Sequence, residues 1–239
     1  MRSSFRATTL AALALTLVLV ACGSDDSSGP NPSDVEAGML VSGSFEAGDF
    51  EYETSNLLAS LEHLGYSLDT TSSTDSAHIA ALIGGKDIVF FPEDNPAFSA
   101  GTLAILKAFV DGGGTLVLVA GYDHLDWVNT AFGWSLASDE DLDFRAPMPK
   151  ADGADHTPYR DGPSSIPGNN GGSLLDVSTL PDSGIVAYEG ENGRTNASVA
   201  VLPSGSGRLV YFAWDWYDAT PVGLQDGGWN KLLKLSAGF

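Results

Sequence analysis

The chain has 239 residues, enough for one α/β domain and a leader. It carries 31 acidic side chains against 11 Lys and Arg, a formal charge of -20. That balance repels phosphate, which excludes nucleic acid as a partner and polybasic docking on anionic lipid. A well-hydrated anionic surface, or attraction for divalent cations, remains compatible with it.

Met1–Arg6 is a short basic region, and Thr9–Ala21 is apolar and uncharged. Such a run is too short to span a bilayer and has the layout of an export signal. It ends Leu19-Val20-Ala21-Cys22, which resembles the bacterial lipobox. The resemblance implies cleavage before Cys22 and lipid on its thiol, and several acyl chains hold a protein on a membrane where one is marginal. Cys22 is the single cysteine of the chain, so the domain is expected to hold without internal disulfides. The expected layout is a signal peptide over 1–21, a lipidated Cys22 with a flexible tether over 22–34, and a domain over 35–239. The expected address is the bacterial cell envelope, with Gly23 favouring the outer membrane in a Gram-negative cell.

Gly38–Ser42 is expected as the first strand. Phe45–Tyr52 reads as an acidic loop. Thr54 is placed as the cap of a helix whose apolar face is Leu57, Leu58, Leu61 and Leu64. Tyr66–Thr70 follows as a strand, then a helix from Asp75 or Ser76 with Ile79, Leu82 and Ile83 inward. Ile88–Phe91 is a buried strand ended by Pro92. Leu103, Leu106, Phe109 and Val110 mark a further helix, stopped by Gly112-Gly113-Gly114. Thr115–Ala120 is a continuous β-branched and leucine run, as a strand covered on both faces requires. After the bend Gly121-Tyr122-Asp123 a helix runs to Phe132, where Gly133 stops it. The alternation of strand and helix predicts a parallel sheet wound by right-handed crossovers.

Ala137–Gly172 is rich in Asp, Pro, Gly and Asn and keeps no apolar period. It reads as a long loop insertion over the carboxyl edge of the sheet, of a length that is usually functional or mobile. Gly184–Tyr188, Ala197–Leu202 and Arg208–Trp214 then read as strands. The last two are joined by Ser204-Gly205-Ser206-Gly207 as a hairpin. Trp229, Leu232, Leu233 and Leu235 define a covering helix.

The segments FVDGGGTLVLVAG (109–121) and GRLVYFAWDWYD (207–218) resemble the class I glutamine amidotransferase-like superfamily, in its trehalose-utilisation-like or extracytoplasmic GATase-like branches. The resemblance implies a doubly wound, mostly parallel, flavodoxin-like α/β fold with a late antiparallel hairpin. It also implies a nucleophilic cysteine at the bend after the central strand and a histidine after a late strand. Here the bend is Ala120-Gly121-Tyr122-Asp123, and the late strand is followed by Asp215-Trp216-Tyr217-Asp218. Thiolate chemistry is therefore missing at both ends, and the expectation leans away from an enzyme.

In open α/β sheets, sites form where strands end at their carboxyl edge. The expected crevice is therefore built from Glu93, Asp94, Gly121, Tyr122, Asp123, Asp215 and Trp216. His124 with Asp123 or Asp215 is the alternative, a carbohydrate-active or metal-assisted hydrolase. Asp123 reads equally as a helix cap. The aromatic group Trp214-Asp215-Trp216-Tyr217 suits stacking on sugar rings, or else seals the end of the sheet against Trp229. The run Asp139, Glu140, Asp141, Asp143 lacks the glycine and closing glutamate of an EF-hand, so no cofactor is expected beyond weak Ca²⁺ binding. His63, His78 and His156 show no partner pattern. The expected partners are the membrane, through Cys22, and a carbohydrate or envelope protein.

Overall fold

The structure is a computed structural model that describes residues 31–41, 51–92, 97–119, 125–139, 147–168, 172–191, 193–216 and 227–239. Cys22 and its leader lie outside the described residues. The elements are β1 (Ala37–Leu40), α1 (Glu51–His63), β2 (Leu68–Thr71), α2 (Ser76–Ile83), β3 (Ile88–Phe91), α3 (Ala100–Asp111), β4 (Thr115–Val119) and α4 (Asp126–Phe132). Then come β5 (Ser138–Asp139), β6 (Met148–Pro149), β7 (Ser165–Ile166), β8 (Leu174–Asp176), β9 (Ile185–Gly190), β10 (Gly193–Ser204), β11 (Gly207–Phe212) and α5 (Trp229–Ser236). No helix among the described residues is long and apolar enough to cross a membrane.

The main sheet runs β2-β1-β3-β4-β11-β10-β8-β5, with β9 paired to β10. β2, β1, β3, β4 and β11 are parallel, and β10 closes a hairpin with β11 antiparallel to it. The expected fold class is therefore the observed one. β4 lies between β3 and β11 and is buried along its whole length, which explains its unbroken apolar run. The packing of α2 on α3, α3 on α4, and α1 on α5 puts α1 and α5 on one face and α2 to α4 on the other.

Several boundaries differ from expectation. α1 starts at Glu51, so Thr54 is a buried residue inside the helix rather than its cap. Glu53 sits in the first turn, where a carboxylate interacts well with the positive end of the helix dipole. Segment 147–168 is packed in the core. Met148, Ala154 and Tyr159 are fully buried, and Ile166 nearly so. Ala151 donates to the Ala187 carbonyl at 2.9 Å, the Tyr159 and Ser236 hydroxyls meet at 2.8 Å, and Trp229 Nε1 donates to the Pro167 carbonyl at 2.9 Å. The segment therefore packs against β9 and α5, and reaches the first turn of α5 at Pro167. Its anchors sit on two-residue strands and single 3₁₀ turns (Asp152–His156 and Pro158–Asp161), which impose no period a sequence pattern could reveal.

At the amino edge the hairpin turn between β10 and β11 presses on the end of α3. Ser206 N donates to the Asp111 carbonyl at 2.9 Å, and the Ser204 hydroxyl donates to Asp111 Oδ1 at 2.6 Å. A Cβ on Gly207 would stand 2.2 Å from the Val110 carbonyl oxygen and 2.3 Å from that of Gly114. Only glycine lets three backbone segments approach this closely.

Candidate functional site

The chain leaves β1 for β2 on one side and returns to β3 on the other. The strand order therefore reverses between β1 and β3, and in such sheets ligands bind outside the carboxyl ends at that reversal. Phe91 of β3 is level with Leu118 of β4, and Phe212 of β11 with Val119, so these strands end together. Glu93 and Asp94 follow β3 in the chain, and Gly121, Tyr122, Asp123 and His124 follow β4. All six lie outside the described residues, as do Glu140, Asp141 and Asp143 of the acidic run.

Asp215 and Trp216 are described. They follow β11 at the same edge, Asp215 half-buried and Trp216 buried. The Trp216 carbonyl accepts from Nδ2 of Asn56 in α1 at 2.9 Å. Trp214 lies against Trp229 of α5 with ring centroids 5.2 Å apart, and meets Trp216 edge-on at 6.5 Å. The Trp214-Asp215-Trp216 group thus joins β11 to the first turns of α1 and α5, and both of its rings are internal.

α1 brings residues that sequence reasoning missed. Glu53 is 3 % exposed and Asn56 6 % exposed, on the turn of α1 that faces the β11 exit. Asn230, in the first turn of α5, is buried on the same face. A buried carboxylate, two buried amides and the amino ends of two helices therefore gather around one strand end. The sequence offered a weak signal in Glu51 and Glu53, acids just after the first strand. It was obscured because a cap at Thr54 puts the helix start four residues late.

The other face carries a second aromatic wall. Phe91, Phe98 and Trp127 lie within 6.0 Å of one another by ring centroid, Phe98 and Trp127 edge-to-face at 5.2 Å. The indole N–H groups of Trp127, Trp214 and Trp216 are all buried and, among the described residues, find no acceptor. Each such donor costs about 1–3 kcal/mol. Their concentration beside the carboxyl edge makes it the most polar and least satisfied part of the described interior. Its chemistry is that of donors and a carboxylate held in a dry setting, suited to grip a polar ligand. Among the described residues no three metal-ligating side chains converge. His78 pairs loosely with Asp75 at 3.9 Å on the surface, at the start of α2.

No family model matches the sequence, and no curated protein matches it. Solved structures do match the fold. A ThuA-like protein from Bacteroides uniformis aligns with TM-score 0.62 and 13 % identity, over 90 % of this chain and 93 % of that one. A ThuA-like protein from Parabacteroides merdae aligns with TM-score 0.58 and 11 % identity, over 85 % and 88 %. The mmIFT52 N-terminal domain gives TM-score 0.58 and 10 % identity, over 82 % and 93 %. At this identity the likeness is one of fold. The chain has the mixed α/β architecture of ThuA-like proteins, with a mostly parallel sheet and an antiparallel hairpin.

Proposed function

We propose that this chain is an envelope lipoprotein, anchored through lipid on Cys22, whose ThuA-like, amidotransferase-like domain binds a ligand or a partner and performs no thiol chemistry. The observation that carries this reading is the position of its single cysteine. It stands at the end of the apolar leader, while the bend after β4 reads Ala120-Gly121-Tyr122-Asp123. A thiolate nucleophile cannot be recruited from elsewhere in the chain. The carboxyl-edge group of Glu53, Asn56, Asp215 and Trp216 supports binding at the place where the fold builds its sites. The crevice is proposed to continue through Glu93, Asp94, Gly121, Tyr122 and Asp123. A carbohydrate or an envelope protein fits its mixture of carboxylates, amides and aromatic walls.

The test has two arms. Cys22→Ser should move the protein from the membrane fraction to the soluble one, and unchanged partitioning refutes the anchor. The purified protein should release no ammonia from glutamine, and turnover abolished by Asp215→Asn would refute the binding-module reading.

A further inference from the structure

A cleft of about 380 Å³ opens at the amino edge of the sheet, on the side opposite the proposed crevice. Its walls are apolar where Ile185, Val201, Pro203 and the Phe239 ring line it, and its polar residues include Arg208 and His156. No Asp or Glu lines it, in a chain with 31 of them. Arg208 is the first side chain after the tight Gly207 approach, so the backbone packing that demands glycine also fixes where the guanidinium starts. Its Cζ stands 4.9 Å from the centroid of the Phe239 ring, with the cation over the aromatic face. Among the described residues no carboxylate forms an ion pair with it. Burial holds the guanidinium below the usual arginine range.

A partly desolvated guanidinium offers a fork of donors matched to a carboxylate, and aromatic stacking pre-orients that fork. Among the 31 acidic side chains of this chain, none lines the cleft that Arg208 lines. We infer that the cleft formed by Arg208, His156, Phe239, Ile185, Val201 and Pro203 binds a small organic carboxylate, its charged head on Arg208 and its apolar body along the wall. The volume suits a ligand of modest size, at the small end of known sites. The acidic surface around the cleft disfavours multiply charged anions such as sulfate or phosphate, while a single carboxylate with an apolar body gains from the walls.

The full chain, solubilised, can be titrated with 4-fluorobenzoate followed by ¹⁹F NMR, with 4-fluorobenzyl alcohol as the uncharged control. Fluorobenzoate is expected to bind saturably, and the alcohol at least about tenfold more weakly. Arg208→Gln should weaken fluorobenzoate by about tenfold or more with the unfolding midpoint held, and Arg208→Lys should fall between the two because it keeps charge without the fork. No saturable binding, equal affinity for the alcohol, or displacement of the probe by equimolar sulfate would each overturn the inference. Because Arg208 lies away from the carboxyl edge, these outcomes are independent of whether the proposed crevice binds anything.

Discussion

The two edges of the sheet are built on opposite principles. At the amino edge, the described polar groups near the hairpin turn are matched. Asp111 accepts from the Lys107 ammonium and from the Ser204 hydroxyl, each at 2.6 Å, and its carbonyl takes Ser206 N. Gly205 and Gly207 let the turn sit against the backbone of α3. At the carboxyl edge, Glu53 and Asn56 are buried among tryptophans, and three indole N–H groups lack acceptors among the described residues. A fold of this type spends its satisfied contacts on the edge that holds the strands in place. The indole donors without acceptors among the described residues gather at the other edge, where folds of this type build their sites. The cleft beside Arg208 is an exception within the amino edge, a cation that local packing places but does not pair.

The sharpest way to break this comparison is at Gly207. A methyl group there meets two backbone oxygens that cannot rotate away, so Gly207→Ala should cost about 3 kcal/mol or more in urea unfolding. A loss below about 1 kcal/mol would show that the amino edge is not close-packed at this point.

The carboxyl edge is tested by a matched pair. Asn56→Ala leaves the buried Trp216 carbonyl without the Asn56 amide donor and should cost about 1–3 kcal/mol. Trp216→Phe removes an indole N–H that has no acceptor among the described residues, so relief of its desolvation offsets the smaller ring, and the net change should stay within about 1 kcal/mol. The same denaturation curves read both. If Trp216→Phe proves the more damaging of the two, the indole N–H is satisfied and the edge is better matched than described.

The smallest effect is electrostatic. The hydrogen bond from Lys107, and after it the one from Ser204, hold the Asp111 carboxyl below its ordinary value of 3.8. A depressed carboxylate adds stability that is full above the unfolded value and is lost as pH falls through the folded one. Asp111→Asn should therefore lose a small stabilisation at neutral pH, match wild type at low pH, and so flatten the acid limb of the stability profile below about pH 4. The pair is solvent-exposed and screened, so the change should also shrink in high salt. An acid limb identical to wild type at low salt would remove Asp111 from the amino-edge network.

Much of the fold was legible in the residues. β3 is apolar at every position and β4 at every position after Thr115 because both faces are covered, and α2, α3 and α5 show their inward faces at helical spacing. The hairpin was legible from its glycine-serine turn. Segment 147–168 was not, because Met148, Tyr159 and Ile166 are buried from irregular backbone that carries no period. In the candidate site, Asp215 and Trp216 were named from their place after a late strand. Glu53 and Asn56 were missed because they enter through the partner of that strand end, 160 residues away in the case of the Asn56 bond.

What the sequence determined by itself is the order of elements, since period and glycine punctuation are local properties that each segment carries. It also determined the absence of a thiol at the bend, since that is a matter of residue identity. Only the tertiary structure decided which strands lie side by side, that the reversal falls between β1 and β3, and that α1 therefore lends Glu53 and Asn56 to the end of β11. Adjacency in a sheet is set by packing between segments far apart in the chain, and no single segment encodes it.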